Sequence, residues 1–112
     1  MLPFKSLTGA ATTGPGDSHD LETVCRDHTL FVTDTSGLTA GAVSVALEGS
    51  ADDQNWTTLV TGGFSGATGT NAVSTVAGNT YHWVRYVRAN VVSNSGSRVI
   101  DAWIASHVDE ET

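Results

Sequence analysis

The chain is built from short runs of β-branched and aromatic residues, separated by glycine, serine, asparagine and aspartate. No window of helical length places apolar side chains at positions i, i+3, i+4 and i+7 among good helix formers. Short runs of this composition between turn-forming residues are typical of strands. The pattern therefore predicts an all-β fold, and the absence of heptads excludes a coiled-coil rod.

We predict about eight strands from these runs. They are Phe4 to Thr13 (in two pieces or as an extended arm), Asp20 to Cys25, Thr29 to Thr35, Ala42 to Gly49, Asn55 to Val60, Ala72 to Val76, Thr80 to Val92, and Arg98 to His107. The fourth run alternates most strictly, with Val43, Val45 and Leu47 on one face and a more polar set on the other. Such alternation predicts one buried face and one solvated face.

The last two predicted strands carry apolar residues on both faces, which favours a central place in a sheet. The stretch between them, Asn94 to Ser97, contains glycine and has the length of a hairpin loop. We therefore predict that these two strands pair with each other.

Strands at this spacing predict a two-sheet β-sandwich of jelly-roll type. The 112 residues suffice for one domain. We predict an N-terminal arm over residues 1–13, the sandwich over 14–108, and a polar tail over 109–112. The glycine-containing stretches Ala10 to Ser18 and Thr61 to Thr70 are predicted as loops.

Charge and cysteine content exclude several classes of protein. Five basic residues against twelve acidic ones give a net charge of −7, whereas a protein that binds nucleic acid through phosphates needs a basic surface. Cys25 is the single cysteine, which excludes an intrachain disulfide. No long apolar run and no signal-peptide pattern are present, so we expect no membrane span and synthesis in the cytoplasm.

The sequence shows no recognisable catalytic or metal-binding motif. Zinc motifs space their histidines closely, and the four histidines of this chain are not so spaced. They are His19, His28, His82 and His107. No Gly-x-Ser-x-Gly element is present. We expect no catalytic residue, no metal and no cofactor.

One acidic residue, Asp101, lies inside an apolar predicted strand. Isolated charges are expensive in such a place, so we expect Asp101 to form an ion pair with an arginine. The candidates are Arg85, Arg88 and Arg98.

The segment from Val45 to Leu59 resembles a hairpin of a known family. A strand is followed by an acidic turn, and the chain returns with Trp56 predicted to point inward. This segment resembles the S-x-D-G-x-x-W-x-x-L hairpin of discoidin-type, galactose-binding-like jelly rolls. The segment Val84 to Ala89 contains the motif R-Y-V-R. This segment resembles a later strand of the same families. Asp53 occupies the position where these families usually have glycine.

The resemblance to galactose-binding-like domains implies a glycan-binding module as the alternative function, with host-surface glycans as the partner. The candidate residues are Asp52, Asp53, Asn55 and Trp56, and the further exposed aromatics such a site needs are Trp83 and Trp103. Oxygen-rich turns also bind calcium, but the alternating ligands and closing glutamate of a calcium loop are missing. The residues alone favour a structural turn.

Over its whole length the chain is similar to virion components of tailed viruses, such as head decoration proteins and tail or fibre modules. The layout that carries this similarity is L-E-G-S-x-D-x-x-N-W followed by V-R-Y-V-R-A-N, with an N-terminal arm and Gly/Thr-rich loops. The resemblance implies a bacteriophage capsid decoration protein without enzymatic activity. Such a protein is made in the host cytoplasm, lies on the virion surface and binds the major capsid protein.

The predicted docking element is the N-terminal arm, and its docking residues are Leu2, Phe4, Lys5 and Leu7. An extended segment of this kind can add a strand to an exposed sheet edge of a partner. Many copies on a symmetric lattice add avidity. A homotrimer on a local three-fold axis matches such a lattice best.

Overall fold

A computed structural model describes residues 3–23, 25, 27–38, 40–66, 71–76 and 83–107. These residues form two antiparallel sheets that pack together, which confirms the predicted β-sandwich. The strands are β1 (Phe4–Ala10), β2 (Gly14–Pro15), β3 (His19–Asp20), β4 (Asp27–Asp34), β5 (Ala42–Ser50), β6 (Thr57–Ser65), β7 (Asn71–Val76), β8 (Tyr86–Asn94) and β9 (Ile100–His107). Within the described ranges, no helix has the length and apolarity of a membrane span.

The four-stranded sheet has the order β1-β9-β4-β7, and the five-stranded sheet has the order β2-β8-β5-β6 with β3 also paired to β8. Aliphatic side chains from the facing sides of both sheets form one core. Its fully buried members include Leu30, Val32, Val45, Leu47, Val84, Val87, Ile100 and Ala102. In the fourth run, Val43, Val45 and Leu47 are buried in β5 as predicted, but the solvated face was wrong, because Ala46 and Glu48 on that face are buried as well.

The prediction that the last two strands pair with each other was wrong. β8 belongs to the five-stranded sheet and β9 to the four-stranded sheet. The connection is a corner between the sheets, in which Asn94 Nδ2 donates to the carbonyl of Arg98 (2.7 Å) and Asn94 Oδ1 accepts its N–H (2.9 Å). The Arg98 side chain is buried at this point, where the chain passes from one sheet to the other.

The interior end of this corner holds a buried ion pair. The side chains of Arg98 and Asp34 are both fully buried, and Arg98 Nε donates to Asp34 Oδ2 at 2.7 Å. Burial alone raises the pKa of Asp34, but hydrogen bonds from Ser36 and Arg98 outweigh it and hold the pKa below its usual value. Asp34 is therefore a carboxylate at neutral pH, matched to the guanidinium.

The remaining guanidinium N–H groups of Arg98 bind backbone carbonyls. Its Nη1 donates to Gly41 O (3.0 Å) and to Gly66 O (3.4 Å), and its Nη2 donates to Leu38 O (3.3 Å). The guanidinium also lies over the Phe64 ring, 5.1 Å from its centre. A buried charge is tolerated when its hydrogen-bonding capacity is met in this way. The sequence-based expectation for Arg98 as a partner of Asp101 was therefore wrong.

Part of the predicted loop Thr61 to Thr70 is a strand, because β6 continues to Ser65. Its glycines serve close packing. A Cβ at Gly63 would lie 2.1 Å from Val43 O, and a Cβ at Gly62 would lie 2.5 Å from Ser74 Oγ. At Gly63, where the close atom is backbone, only glycine fits this approach of β6 to β5. Residues 67–70 lie outside the described part of the chain.

Of the predicted strand Asp20 to Cys25, only Asp20 belongs to a strand. It is the last residue of β3, which pairs with β8. Asp20 Oδ1 accepts the Glu22 N–H at 2.8 Å, and Glu22 has a positive φ of 66°. This Asx turn ends the regular pairing of β3, and the chain stays close to the start of β8 through the Leu21 N–H, which donates to Arg85 O at 2.8 Å. The start of the predicted strand Thr80 to Val92, the residue His82 and the tail 109–112 lie outside the described residues.

Arg98→Met is expected to lower the free energy of unfolding by about 3–5 kcal/mol, because it leaves the Asp34 carboxylate buried and unpaired. Chemical denaturation followed by tryptophan fluorescence measures the change. The matched control is Arg85→Met, since Arg85 forms an exposed ion pair with Asp20 (side chains 47% and 39% exposed). We expect little change for the control. Equal stability of the two variants would contradict the role assigned to the buried pair.

Candidate functional site

The predicted docking arm is held in the sandwich over its described residues. Phe4–Ala10 is β1, an edge strand that pairs with β9. Leu7 lies in the core with 4% exposure, and the Phe4 ring stacks on His19 with ring centres 4.6 Å apart. Leu2 lies outside the described residues. This stretch is therefore part of the fold and not a free arm, and Leu7 is not available to a partner.

Ser6 explains why β1 is fixed in place. Its hydroxyl donates to Asp17 O (2.7 Å) and accepts the Ala89 N–H (2.8 Å). The Asp17 N–H in turn donates to Ser6 O at 2.8 Å. β1 is thus tied to β8 of the other sheet and to the segment that follows β2, because its polar groups find their partners there.

An apolar groove lies on the outer face of the four-stranded sheet. Its volume is about 530 Å³, and it is lined by Pro3, Thr29, Phe31, Trp103 and Ala105. Phe31 and Trp103 lie opposite each other on β4 and β9, and Thr29 lies opposite Ala105. We call this surface the aromatic groove. It presents two aromatic side chains to the exterior, where a folded chain usually presents polar ones.

Strand alternation explains how these side chains come to face outward. In β4 every second residue is buried, so Leu30 and Val32 enter the core while Thr29 and Phe31 face out. In β9 the same alternation buries Ile104 and leaves Trp103 half-buried on the outer face. The period of a strand thus assigns the aromatic residues to the solvent side.

A charged pair borders the aromatic groove at Trp103. Lys5 lies opposite Trp103 on β1, and its Nζ is 5.0 Å from the centre of the Trp103 ring. The same Nζ is 3.4 Å from Asp101 Oδ2, and Asp101 Oδ1 accepts the Gly9 N–H at 2.7 Å. The predicted pairing of Asp101 with an arginine is therefore wrong, since β1 brings a lysine to it. The three candidate arginines, Arg85, Arg88 and Arg98, pair with Asp20, Glu48 and Asp34 respectively.

The acidic turn proposed as a glycan site forms its own hydrogen-bond network. Asp52 Oδ1 accepts the N–H groups of Gln54 (3.0 Å) and Asn55 (2.8 Å), and Ser50 Oγ donates to the same oxygen at 2.9 Å. Backbone hydrogen bonds, with that of Asn55 the strongest, lower the pKa of Asp52 well below its ordinary value. These contacts support the prediction of a structural turn. Among the described residues, no cluster of three or more metal-binding side chains is found.

Trp56 ends this turn and is half-buried beneath an arginine. The Arg88 guanidinium lies 4.2 Å from the centre of the Trp56 ring, and Arg88 Nε donates to Glu48 Oε1 at 2.7 Å. Glu48 Oε2 accepts from Asn90 Nδ2 at 3.0 Å. The Trp56 face that meets Arg88 is therefore occupied, and among the tryptophans Trp103 is the one that lines the outer groove.

A histidine–serine contact lies inside the sandwich. His28 Nδ1 is 2.8 Å from Ser106 Oγ, and His28 Nε2 is 3.2 Å from Cys25 O. The carbonyl can only accept, so Nε2 carries the proton and Nδ1 accepts from the serine hydroxyl. Burial lowers the pKa of His28. The exposures of 0% and 2% for His28 and Ser106 make this a packing contact.

The aromatic groove was missed in the sequence because its two aromatic residues lie in different predicted strands. Within its own strand, each of Phe31 and Trp103 lies between aliphatic residues that are predicted to face the core. That pattern is the available signal for an outward aromatic residue. Their adjacency depends on the pairing of β4 with β9, which joins distant parts of the chain.

No protein family model matches the chain. No curated protein matches it either. Among solved structures, the fold is similar to the crystal structure of the SPBc2 prophage-derived protein YomS. The TM-score is 0.57 and the sequence identity is 17%, and the match covers 95% of this chain and 96% of that one. The likeness therefore extends over the whole sandwich and concerns the fold.

Asp53 has a positive φ of 63° at the turn position where galactose-binding-like domains usually carry glycine. Because a left-handed backbone is strained for residues with a Cβ, we expect Asp53→Gly to leave the domain as stable or to stabilise it. Asp53→Val should destabilise it by about 1 kcal/mol or more. Thermal unfolding measures both changes.

The control for this prediction is Asp52→Gly, one position earlier, which removes the carboxylate that accepts the turn's N–H groups. It should destabilise the domain. A loss of stability for Asp53→Gly as large as that for Asp52→Gly would contradict the assignment.

Proposed function

We propose that this chain is a non-enzymatic structural protein of a tailed-phage particle, a capsid decoration protein that binds the major capsid protein. The observation that carries the proposal is the aromatic groove. Interfaces between proteins are anchored by a few tryptophan, tyrosine and arginine side chains in apolar surroundings, framed by polar groups. Trp103 beside Phe31, with the Lys5–Asp101 pair at its border, has this composition.

The phage setting is supported by the likeness to a prophage-derived protein along nearly the full length of both chains. It is also supported by the resemblance of the sequence to virion components of tailed viruses. Under this proposal the protein is made in the host cytoplasm and comes to lie on the outer capsid surface. Copies bound at neighbouring positions staple adjacent capsomers and gain avidity from the lattice.

The docking element in this proposal differs from the arm predicted from the sequence. The N-terminal residues were predicted to dock as an arm, but β1 is an edge strand with its own partners. The aromatic groove takes the place of the arm as the docking surface. Of the residues predicted to dock through the arm, Lys5 borders this groove. Shape and apolar contact then provide affinity, while the charged border orients the partner.

Purified protein is expected to bind saturably to phage heads assembled without it. Trp103→Ala and Phe31→Ser should each weaken that binding at least about 10-fold, because a buried aromatic anchor is removed. Co-sedimentation with the heads measures the affinity, and the free energy of unfolding of each variant is measured beside it. The matched control is Val92→Ser on the five-stranded sheet, where Val92 is 54% exposed. Absence of saturable binding, or equal loss in the control, would refute the proposal.

The second candidate function is glycan binding on a virion surface, and the same groove favours it. Sugar rings stack on outward aromatic faces, and their hydroxyls need hydrogen-bonding groups beside the ring. Thr29 lines the groove, Thr75 lies opposite Thr29 on β7, and Asp101 lies beyond Trp103. The residues Asp52, Asp53 and Asn55 fit this role less well, since Asp52 and Asn55 bond to each other within the turn.

A glycan array separates the two candidates. If the groove binds sugars, the purified protein gives glycan signals that Trp103→Ala abolishes and that Asn55→Ala leaves unchanged. Signals that persist in Trp103→Ala would contradict a glycan site in the groove. A blank array at high protein concentration would remove the glycan candidate and leave the capsid proposal as it stands.

A further inference from the structure

A buried histidine connects the two sheets at one end of the sandwich. The ring of His28 on β4 lies 2.8 Å (Nδ1) from Ser106 Oγ on the neighbouring strand β9, and 3.2 Å (Nε2) from Cys25 O. The Cys25 N–H in turn donates to Val84 O at 3.2 Å, just before β8. One ring therefore joins the four-stranded sheet to segment 21–25 and, through it, to the start of β8 in the five-stranded sheet.

Segment 21–25 depends on its two ends for its position. Its described residues belong to no strand. Leu21 is buried and its N–H donates to Arg85 O at 2.8 Å, while Cys25 at the other end is fully buried. The two described residues between them are exposed. Segments with few buried contacts and no strand ladder open before the rest of a fold.

The His28 ring holds this position as a neutral group. The Cys25 carbonyl only accepts, so Nε2 carries the proton and Nδ1 accepts from the Ser106 hydroxyl. A second proton on Nδ1 places a full charge on a ring with 0% exposure, and neither of these partners is a carboxylate. The serine oxygen can accept from the charged ring, but a hydroxyl and a carbonyl do not replace the hydration of a charge. The closed arrangement therefore favours the neutral ring.

Asp27 is the charged neighbour of His28 on its own strand. It is exposed on the outer face of the sheet, where it lies opposite His107 of β9. Burial lowers the pKa of His28 and outweighs the hydrogen bond to Cys25 O and the attraction of Asp27, which both raise it. On the other side of β4, β7 has no charged residue. The exposed carboxylate is screened by water, so it does not compensate a charge in the core.

The elements on the remaining sides add no compensating carboxylate within the described chain. On the segment before β4, Glu22 is exposed, and the Cys25 thiol is uncharged because burial raises its pKa. β6 has no charged residue. The other charged residues at this end belong to ion pairs or to the exposed acidic turn, namely Asp20 with Arg85, Glu48 with Arg88, and Asp52 with Asp53.

The opposite end of β4 responds differently to acid. Its last residue, Asp34, is also buried, but it is already paired with Arg98. Burial raises the pKa of Asp34, whereas hydrogen bonds from Ser36 and Arg98 outweigh it and hold the pKa below its usual value. This ion pair therefore keeps both charges in mildly acidic solution, and acid acts on the histidine end alone.

We propose that His28 is an acid-sensitive clasp: a second proton on its ring releases segment 21–25 and opens this end of the sandwich, while the Arg98–Asp34 end stays closed. The open state hydrates the ring, which then titrates near its ordinary value of about 6.5. Because the closed state binds the proton less readily, its stability is complete above that pH and decreases as the pH falls below it. From pH 7.5 to 5.5, the equilibrium constant for opening should rise about 5- to 10-fold.

The clasp lies directly behind the aromatic groove. Thr29 follows His28 on β4, and Ala105 precedes Ser106 on β9. Both Thr29 and Ala105 line the groove, so opening at His28 disturbs the groove as well. Acid should therefore weaken the binding of phage heads. This consequence rests on the proposed function, whereas the clasp itself does not.

The single cysteine of the chain reports on the clasp, because Cys25 is fully buried and its carbonyl is a partner of the ring. Labelling of its thiol with 4,4′-dithiodipyridine, which reacts in mildly acidic solution, measures opening. Each rate is divided by the rate of the denatured chain at the same pH. The normalised rate is expected to rise about 5- to 10-fold from pH 7.5 to 5.5. An unchanged rate would overturn the proposal.

Two variants assign the effect to one histidine. His28→Gln keeps a donor for Cys25 O and an acceptor for Ser106 Oγ but does not titrate, so its normalised rate should be the same at both pH values. The matched control is His107→Gln, an exposed histidine next to Ser106 on β9, and it should keep the rise. A rise that persists in His28→Gln, or that disappears in His107→Gln, would refute the assignment.

Amide hydrogen exchange in the wild-type chain tests the clasp without a substitution. The protection factor of the Cys25 N–H should fall at pH 5.5 together with the rise in labelling. The Thr35 N–H, which donates to Val99 O at the other end of the sandwich, should keep its protection. An equal loss at both amides would mean that the whole domain unfolds, and it would overturn a local clasp.

Co-sedimentation with phage heads at the two pH values tests the link to the groove. Wild-type binding should weaken at pH 5.5, and the binding of His28→Gln should not. Absence of binding at pH 7.5 would refute the proposed function and leave the labelling result intact. Head binding that is independent of pH, together with a rise in labelling, would refute the coupling between clasp and groove.

Discussion

The buried ion pair between Arg98 and Asp34 is the interaction on which the arrangement of the two sheets depends. Desolvating a guanidinium is costly, so each of its N–H groups must find an acceptor. The acceptors come from the end of β4, from the segment before β5 and from the turn after β6. One charge therefore holds together segments from both sheets. β9 begins two residues after Arg98, so the strand that carries Trp103 starts from this point.

The period of the strands could be predicted from the sequence, and the way in which they join could not. The alternation around Val45 identifies a core-facing row without any knowledge of the fold. The same alternation is compatible with a hairpin or with a corner between sheets after Asn94. The chain forms the corner, with Arg98 buried beside it, and single-sequence patterns assign an arginine to the surface. The glycines of β6 led to the wrong prediction of a loop for a similar reason. Gly63 allows β6 to pack closely against the neighbouring strand.

The candidate site shows the same division between local and long-range information. The acidic turn is local: its serine, aspartate and asparagine follow one another, and their hydrogen bonds were foreseeable as a structural turn. The aromatic groove depends on the pairing of strands that are far apart in the chain, and no local pattern contains that pairing. The role of Lys5 has the same origin. A lysine assigned to a docking arm becomes the partner of Asp101 once β1 pairs with β9.

The two outer faces of the sandwich differ in their chemistry. On the five-stranded sheet, Arg88, Glu48 and Asn90 bond to one another, so their charges are satisfied within the molecule. On the outer face of the four-stranded sheet, Phe31 and Trp103 lie among threonine side chains and next to the Lys5–Asp101 pair. Water hydrates the first face well and the second poorly. The largest exposed aromatic surface of the described residues therefore lies in the groove of the four-stranded sheet.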